Sequence, residues 1–506
     1  MSLARRLRVD LAGVLGTTGV ILVVMGAAQL LPAAAALAQR EGAALPLFLG
    51  ALATALVGLL LLPLRSQSGK WTRRESLAIV AISWLAAIVA AAVPFVVSGT
   101  TGVVSGLFES ASGLTTTGAT VLPDVDGIPA PLHLWRALTH WMGGAGIVLV
   151  VLVITPWLGN AEELRRTQRS EASFLTERYR GSTRATLRAL LAVYVGATAV
   201  HTALLVLLGV SPWDAVLHAF ATISTGGFSS RTASLGAWGT AVQLVTVVFM
   251  LLGAISFVTL GRAITGGGVR AVLHNGEVRG YLVMIALVSL FMALVLVGWG
   301  DAGRYGAGPL GVWQALVDAL VTVTAISTTT GFSTENYALW PAPCQVILLV
   351  LMLVGGCSGS TAGGIKFFRV QILIKHAYRE LRTLANPGAV IPLRLGERVI
   401  EESEVRGALS YVTLYGALIL ALALVIAITG SDPVTAGAAS VSSFGSIGPG
   451  FGDIDPAGSF QPLHPVAKLL CAFAMVLGRL EILPLLAACL PSFWLHRGRR
   501  GWRAPT

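Results

Sequence analysis

Four clusters of hydroxyl residues and glycine recur along the 506-residue chain: Thr115-Thr116-Thr117-Gly118-Ala119-Thr120, Ser224-Thr225-Gly226-Gly227-Phe228-Ser229, Thr328-Thr329-Thr330-Gly331-Phe332-Ser333 and Gly445-Ser446-Ile447-Gly448-Pro449-Gly450. Their glycines Gly118, Gly227, Gly331 and Gly448 lie 109, 104 and 117 residues apart. A near-constant period carrying one local motif marks an internal repeat. Glycine lets the backbone turn through dihedrals that a Cβ resists, so carbonyl oxygens can point at a shared axis while Thr and Ser hydroxyls add oxygens. A ring of carbonyl dipoles replaces the hydration shell of a weakly hydrated monovalent cation such as K⁺. The candidate filter residues are Thr116, Thr117, Gly118, Thr225, Gly226, Gly227, Thr329, Thr330, Gly331, Ser446, Ile447 and Gly448. A single cluster would read as a helix-packing or loop element; four phased copies favour the ring.

Other residues border this arrangement. Asp124 and Asp126 follow the first cluster and Asp453 and Asp455 the fourth, where they either concentrate cations at a mouth or serve as solvated loop carboxylates. The run Gly355-Gly356-Cys357-Ser358-Gly359-Ser360-Thr361-Ala362-Gly363-Gly364, then Lys366, places five glycines in ten residues. At about 1 kcal/mol per Gly relative to Ala, it cannot hold a stable helix interior. It therefore reads as a gate built from Gly355, Gly356, Ser358, Gly359, Ser360, Thr361, Gly363, Gly364 and Lys366, with close GxxxG packing as the alternative. It is not a phosphate loop, because no Gly-Lys-Ser/Thr follows at the required spacing. Arg479, in Gly478-Arg479-Leu480-Glu481, lies inside an apolar span, where an ionisable residue is functional by default. It is expected to face the glycine break, repelling the cation or bonding loop carbonyls. Arg136, His140 and Trp141 read as interfacial anchors with a buried hydrogen-bond network.

The elements that must position these residues follow from composition. A chain that is 55% hydrophobic, 12% charged and of mean hydropathy +0.78 is a polytopic membrane protein. Apolar stretches of about 20 residues fall near 11–35, 45–64, 76–98, 132–158, 187–209, 240–263, 281–299, 343–374, 407–430 and 464–495, which makes about ten transmembrane helices. The first, which runs on to about Gln29 without a small-residue cleavage site, reads as a retained span. Of the 35 Lys and Arg, 28 fall in the alternate loops that share a side with both termini. Those loops and termini are cytoplasmic by the positive-inside rule. The formal charge of +11 is thereby explained by topology, and nucleic acid is not an expected partner. The four Cys are scattered, with no metal-site spacing.

Between the two spans of each repeat lies an outer apolar segment (103–120, 212–229, 311–333 and 432–452) that ends in a cluster. The expected fold is all-α, with four repeats of outer helix (M1), pore helix and inner helix (M2) in pseudo-fourfold arrangement around one selectivity filter. The expected units are residues 1–64, two extra N-terminal helices; 65–160, 161–262 and 263–385, repeats one to three, the third with the gating loop 355–364; and 386–506, repeat four with a basic C-terminal tail.

The motifs SGLTTTGATVLPD (112–124), WRALTHWMGGAGI (135–147), STGGFS (224–229), STTTGFST (327–334), GGCSGSTAGGIK (355–366), SIGPGFGD (446–453) and GRLE (478–481) resemble the Trk/Ktr/HKT superfamily of K⁺ transporters, specifically the bacterial Trk-type pore subunit. The resemblance covers about residues 65–496. It implies a homodimer in the bacterial inner membrane that takes up K⁺. It also implies an intramembrane gating loop with Arg479 beneath the filter, and a ring of cytoplasmic RCK/KTN-type nucleotide-binding regulatory subunits on the basic inner face. K⁺ in the filter is the expected ion, with no organic cofactor. Gly118, where sodium-permeable plant relatives often carry Ser, supports K⁺ preference, whereas Ser446 stands where many relatives have Asn. A Na⁺-permeable or H⁺/Na⁺-coupled cation symporter of the same fold is the alternative. An inverted-repeat carrier does not fit repeats that run in the same sense, and no HExxH or paired-carboxylate motif suggests an enzyme.

Overall fold

The computed structural model describes residues 9–65, 71–158, 183–263, 268–299, 301–305, 308–387, 391–395, 398–480 and 482–494. Seven helices among the described residues are long and apolar enough to cross a membrane. Helix is the economical solution there, because every backbone N–H and C=O in lipid must be satisfied within its own segment. The chain is an all-α polytopic membrane protein. Its one sheet among the described residues is a hairpin pairing Arg394–Leu395 with Arg398–Val399.

The chain forms two compact units. The first comprises residues 1–98 and 480–506. Helices Leu11–Ala38 and Ala44–Leu61 pack through glycine: a Cβ on Gly58 would lie 2.7 Å from the backbone nitrogen of Val23. Thr72 and Glu75 form a capping box at the start of helix Arg73–Val97, satisfying two donors at the helix end. Inside the unit, Gln29 Nε2 donates to Ala90 O (2.7 Å) and the hydroxyls of Thr18 and Ser83 pair at 3.0 Å.

The second unit, residues 99–479, contains all four clusters. Each follows a helix: Val103–Leu114, Pro212–Ile223, Pro309–Ser327 and Pro433–Gly445. Three of these turn helices begin with proline, which fits the first helical position because its missing N–H would be unpaired there anyway. Pro309–Ser327 is apolar and long enough to be one of the seven potential spans, yet it ends in the third cluster as its counterparts end in theirs. The 29-residue helix Ala130–Leu158 fills the expected span 132–158. Three expected spans are interrupted. Residues 240–263 divide into Thr240–Ala254 and Phe257–Arg262, residues 343–374 into Ala342–Val354 and Phe367–Ala385, and residues 464–495 into Pro465–Arg479 and Ile482–Cys489.

Candidate functional site

The four clusters share one backbone conformation. Thr116, Thr225, Thr329 and Ser446 are left-handed, with φ of 52°, 55°, 56° and 55°. Two residues later Gly118, Gly227, Gly331 and Gly448 have φ of 80°, 82°, 77° and 104°. Each left-handed residue ends its helix in the manner of a Schellman cap. The next N–H reaches back over five residues: Thr117 N to Ser112 O (2.9 Å), Gly226 N to Ala221 O (2.7 Å), Thr330 N to Ala325 O (2.8 Å) and Ile447 N to Ser442 O (3.1 Å). A non-glycine residue in this region costs of order 1–3 kcal/mol, so four such residues at matched positions are a shared constraint.

The glycines explain how the turns meet. A Cβ on Gly118 would overlap Gly226 O, one on Gly227 would overlap Thr330 O, and one on Gly331 would overlap Ile447 O. A Cβ on Gly448 would sit 2.9 Å from Thr117 O. In every case the overlapping atom is the carbonyl oxygen just before the next turn's glycine, so the turns follow one another in a closed cyclic order. A cavity of about 90 Å³ is lined by all four glycines, together with Arg136 and Asp455 among others.

Beyond the turns, hydrogen bonds tie the repeats in the same order. Thr232 N donates to Asp126 Oδ2 (3.1 Å), and Gly236 N to Ser333 O (3.2 Å). Asn336 Nδ2 donates to Asp455 Oδ2 (2.8 Å), and Phe460 N to Thr120 O (2.8 Å). Two of the four expected mouth acids thus belong to these ties. The Asp126 carboxyl is held below the usual carboxylate range, chiefly by its bond with Thr232. Asp455 also lines the cavity. Asp124 accepts only its local Gly127 N (3.3 Å) among the described residues, and Asp453 is exposed.

The glycine break separates Val354 from Phe367. Gly355, Gly359, Gly364 and Lys366 all have positive φ, and the segment folds as a compact buried loop against the clusters. Thr225 Oγ1 donates to Thr361 O (2.8 Å), and Gly363 N donates to Thr329 Oγ1 (2.7 Å). Thr361 Oγ1 reaches Gly253 O (3.0 Å), Cys357 N reaches Ala254 O (3.0 Å), and Ser360 Oγ bonds Cys357 O (2.6 Å). Lys366 Nζ bonds Ala362 O. A Cβ on Gly356 would lie 2.5 Å from that of Ala362, and one on Gly363 would overlap Gly445 O. The hydroxyls of Thr116 and Ser446, equivalent to those of Thr225 and Thr329, are buried with no hydrogen-bond partner among the described residues.

Arg479 is 7% exposed, and none of its guanidinium nitrogens has a hydrogen-bond partner among the described residues. The expected bond from Arg479 to loop carbonyls is therefore not made, and Glu481 lies outside the described residues. Arg136 also departs from expectation. It is fully buried and not an interfacial anchor: its Nε pairs with Glu109 Oε1 at 2.8 Å, the two side chains being 2% and 0% exposed. The expected buried network is present, with His140 Nδ1 bonded to Gly113 O (2.7 Å) and its Nε2 accepting from Phe228 N (3.2 Å).

Sequence reasoning passed over several buried acids, among them Glu109, Asp214, Asp318 and Glu277. Glu277 Oε1 accepts from Ser358 N in the glycine loop (2.7 Å). The repeat phase itself held a signal for two of the others. Asp214 and Asp318 each stand 13 residues before their cluster's glycine, where the fourth repeat has Thr435.

The TrkH family profile, described as cation transport protein, matches residues 48–494. The chain belongs to the TrkH family. It is 31% identical over 483 residues to the Trk system potassium uptake protein TrkH of Escherichia coli, covering 94% of this chain and 98% of that one. It is 33% identical over 417 residues to the Trk system potassium uptake protein TrkI of Halomonas elongata, with 82% of each chain covered. The crystal structure of the potassium transporter TrkH from Vibrio parahaemolyticus superimposes with a TM-score of 0.86 at 30% identity, covering 96% of this chain and all of that one. The family match thus spans the glycine loop and all four clusters.

Proposed function

We propose that this chain is the pore subunit of a bacterial potassium-uptake system, conducting K⁺ through a filter of backbone oxygens supplied by the four clusters. The observation that carries this reading is the cyclic packing of four left-handed turns, each glycine accommodating its neighbour's carbonyl oxygen. Four repeats bounded at 65–160, 161–262, 263–385 and 386–506 each supply one turn. Such a ring selects a weakly hydrated cation by substituting carbonyl dipoles for water. The turn helices end at the ring, and their partly negative C-termini favour a cation there. Relatives that are named as potassium uptake proteins support K⁺ as the transported ion.

The loop 355–364 acts as the gate, since it is bonded to the Thr225 and Thr329 hydroxyls of the filter turns. Arg479 contributes a buried charge, without a hydrogen-bond partner among the described residues, that repels a cation while the gate is shut. Lys366 holds the end of the loop. Asp124, Asp126, Asp453 and Asp455 supply negative potential at the outer mouth. The protein works as a homodimer in the inner membrane with both termini cytoplasmic, and RCK/KTN-type nucleotide-binding subunits dock on its basic inner face.

Reconstitution tests this reading. Proteoliposomes should take up radiolabelled Rb⁺, a K⁺ surrogate, in large excess over Na⁺ without an imposed proton gradient. Uptake that requires a proton or sodium gradient would favour the coupled symporter, and equal Rb⁺ and Na⁺ uptake would remove the K⁺ filter.

A further inference from the structure

Three of the four turn helices bury a carboxylate, and each carboxylate grips the chain at or just beyond the end of its own cluster. Asp318 Oδ1 accepts from Thr334 Oγ1 (2.7 Å), and Asp214 Oδ1 from Ser230 Oγ (2.5 Å). Glu109 accepts from Thr120 Oγ1 (3.1 Å) and Val121 N (3.1 Å). Thr334 and Ser230 both stand three residues after their cluster's glycine, so the bond bridges the turn from helix to exit segment at matched places. Glu109 lies one helical turn nearer its glycine than Asp214 and Asp318 do, and its partners lie two and three residues past Gly118. In the fourth repeat a hydroxyl replaces the carboxylate: Asp453 N donates to Thr435 Oγ1 (2.9 Å).

These acids could instead be read as cation sites. Each, however, is matched by an arginine: Glu109 with Arg136 at 2.8 Å, Asp214 with Arg231 at 3.4 Å, and Asp318 with Arg304 at 2.9 Å. A neutralised carboxylate attracts a passing cation weakly, but a charge-assisted hydrogen bond inside the protein is short and directional. In the first repeat the arginine carries the restraint onward. Arg136 Nη1 donates to Ser229 O of the next repeat (3.1 Å), and its guanidinium lies 4.0 Å over the Phe228 ring.

We infer that Glu109, Asp214 and Asp318 are positioning residues for ion selection: each carboxylate–arginine pair fixes the outer end of its turn and so sets the width of the filter. The inference rests on the filter reading above. Because the acids touch no ion on this account, their loss changes discrimination and leaves conduction in place.

The test compares Rb⁺ and Na⁺ uptake in proteoliposomes for Asp318→Asn, Thr334→Val and Thr334→Ser, with Gly331→Ser as the reference. The first two should lower the Rb⁺/Na⁺ ratio by about tenfold or more, the order set by one charge-assisted hydrogen bond, while Rb⁺ uptake per folded protein persists. Thr334→Ser, which keeps the hydroxyl, should retain the wild-type ratio. The idea is overturned if Thr334→Val is folded and has the wild-type ratio, or if both Thr334 variants lose the same amount of folded protein at unchanged ratio. If Gly331→Ser also leaves the ratio unchanged, the filter assignment fails; if Gly331→Ser alone alters it, only the positioning role does.

Discussion

At the scale of single residues, the four cluster glycines, which we propose line the filter, are constrained twice. Each needs a left-handed backbone, and each must leave room for a carbonyl oxygen from a turn more than a hundred residues away in sequence. A serine at Gly118 or Gly331 violates both conditions, because its Cβ would overlap Gly226 O or Ile447 O. Gly118→Ser and Gly331→Ser should therefore widen or distort the ring and cut the Rb⁺/Na⁺ uptake ratio by about tenfold, since selectivity depends on the number and placement of coordinating oxygens. Unchanged flux ratios in liposomes would sink the filter assignment. These glycines were legible in the sequence because a left-handed turn leaves a local residue signature. Glu109 was not. A lone acid in LFESASGL carries no mark of the Arg136 that neutralises it 27 residues later.

At the scale of elements, the interrupted third inner helix matters most. Its two halves, Ala342–Val354 and Phe367–Ala385, are separated by a loop that makes more bonds to other elements than to itself. Removing 357–363 deletes the contacts with Thr225, Thr329, Gly253 and Glu277. The shortened protein should leak Rb⁺ in liposomes without any regulatory subunit, and flux identical to wild type would reject the gate role. The glycine content announced the break. Nothing local announced that Thr361 would sit against Gly253 and Ile223, because that depends on how separate helices pack.

The fourth turn helix offers a stability test. Asp432 caps it, accepting from Val434 N (2.9 Å) and Thr435 N (3.1 Å), and its carboxyl is held below the usual range chiefly by the bond with Thr435. Asp432→Ala should cost about 1 kcal/mol, the usual worth of such a cap, seen as a lower thermal unfolding temperature. A carboxylate with a lowered folded pKa stabilises above its unfolded value, about 4, and loses that contribution as pH falls through the folded value. The difference between wild type and Asp432→Ala should thus be full near neutrality and shrink in acid; a difference that is constant with pH would refute the capping account.

At the scale of the whole molecule, charge decides orientation. With 28 of 35 basic residues in the alternate loops expected to be cytoplasmic, we propose that the clusters open to the opposite side. In a Cys489→Ser background, Ala457→Cys should react with a membrane-impermeant maleimide applied outside intact cells, whereas Ala385→Cys, on the basic helix Phe367–Ala385, should react only after permeabilisation. The reverse pattern would invert the topology. The other three cysteines, Cys344, Cys357 and Cys471, are buried and should stay silent.

What the sequence determined alone was whatever short stretches of chain encode: apolar length for spans, basic loops for sidedness, hydroxyl-glycine clusters for left-handed turns, and a glycine run that no helix tolerates. Only the tertiary structure decided the cyclic order of the four turns, the seat of the glycine loop against Thr225 and Thr329, and the pairing of Glu109, Asp214 and Asp318 each with an arginine. Those contacts join residues from 14 to 331 positions apart. Backbone dihedrals are local and leave a residue signature, whereas a contact between distant segments exists only once the helices carrying them have packed.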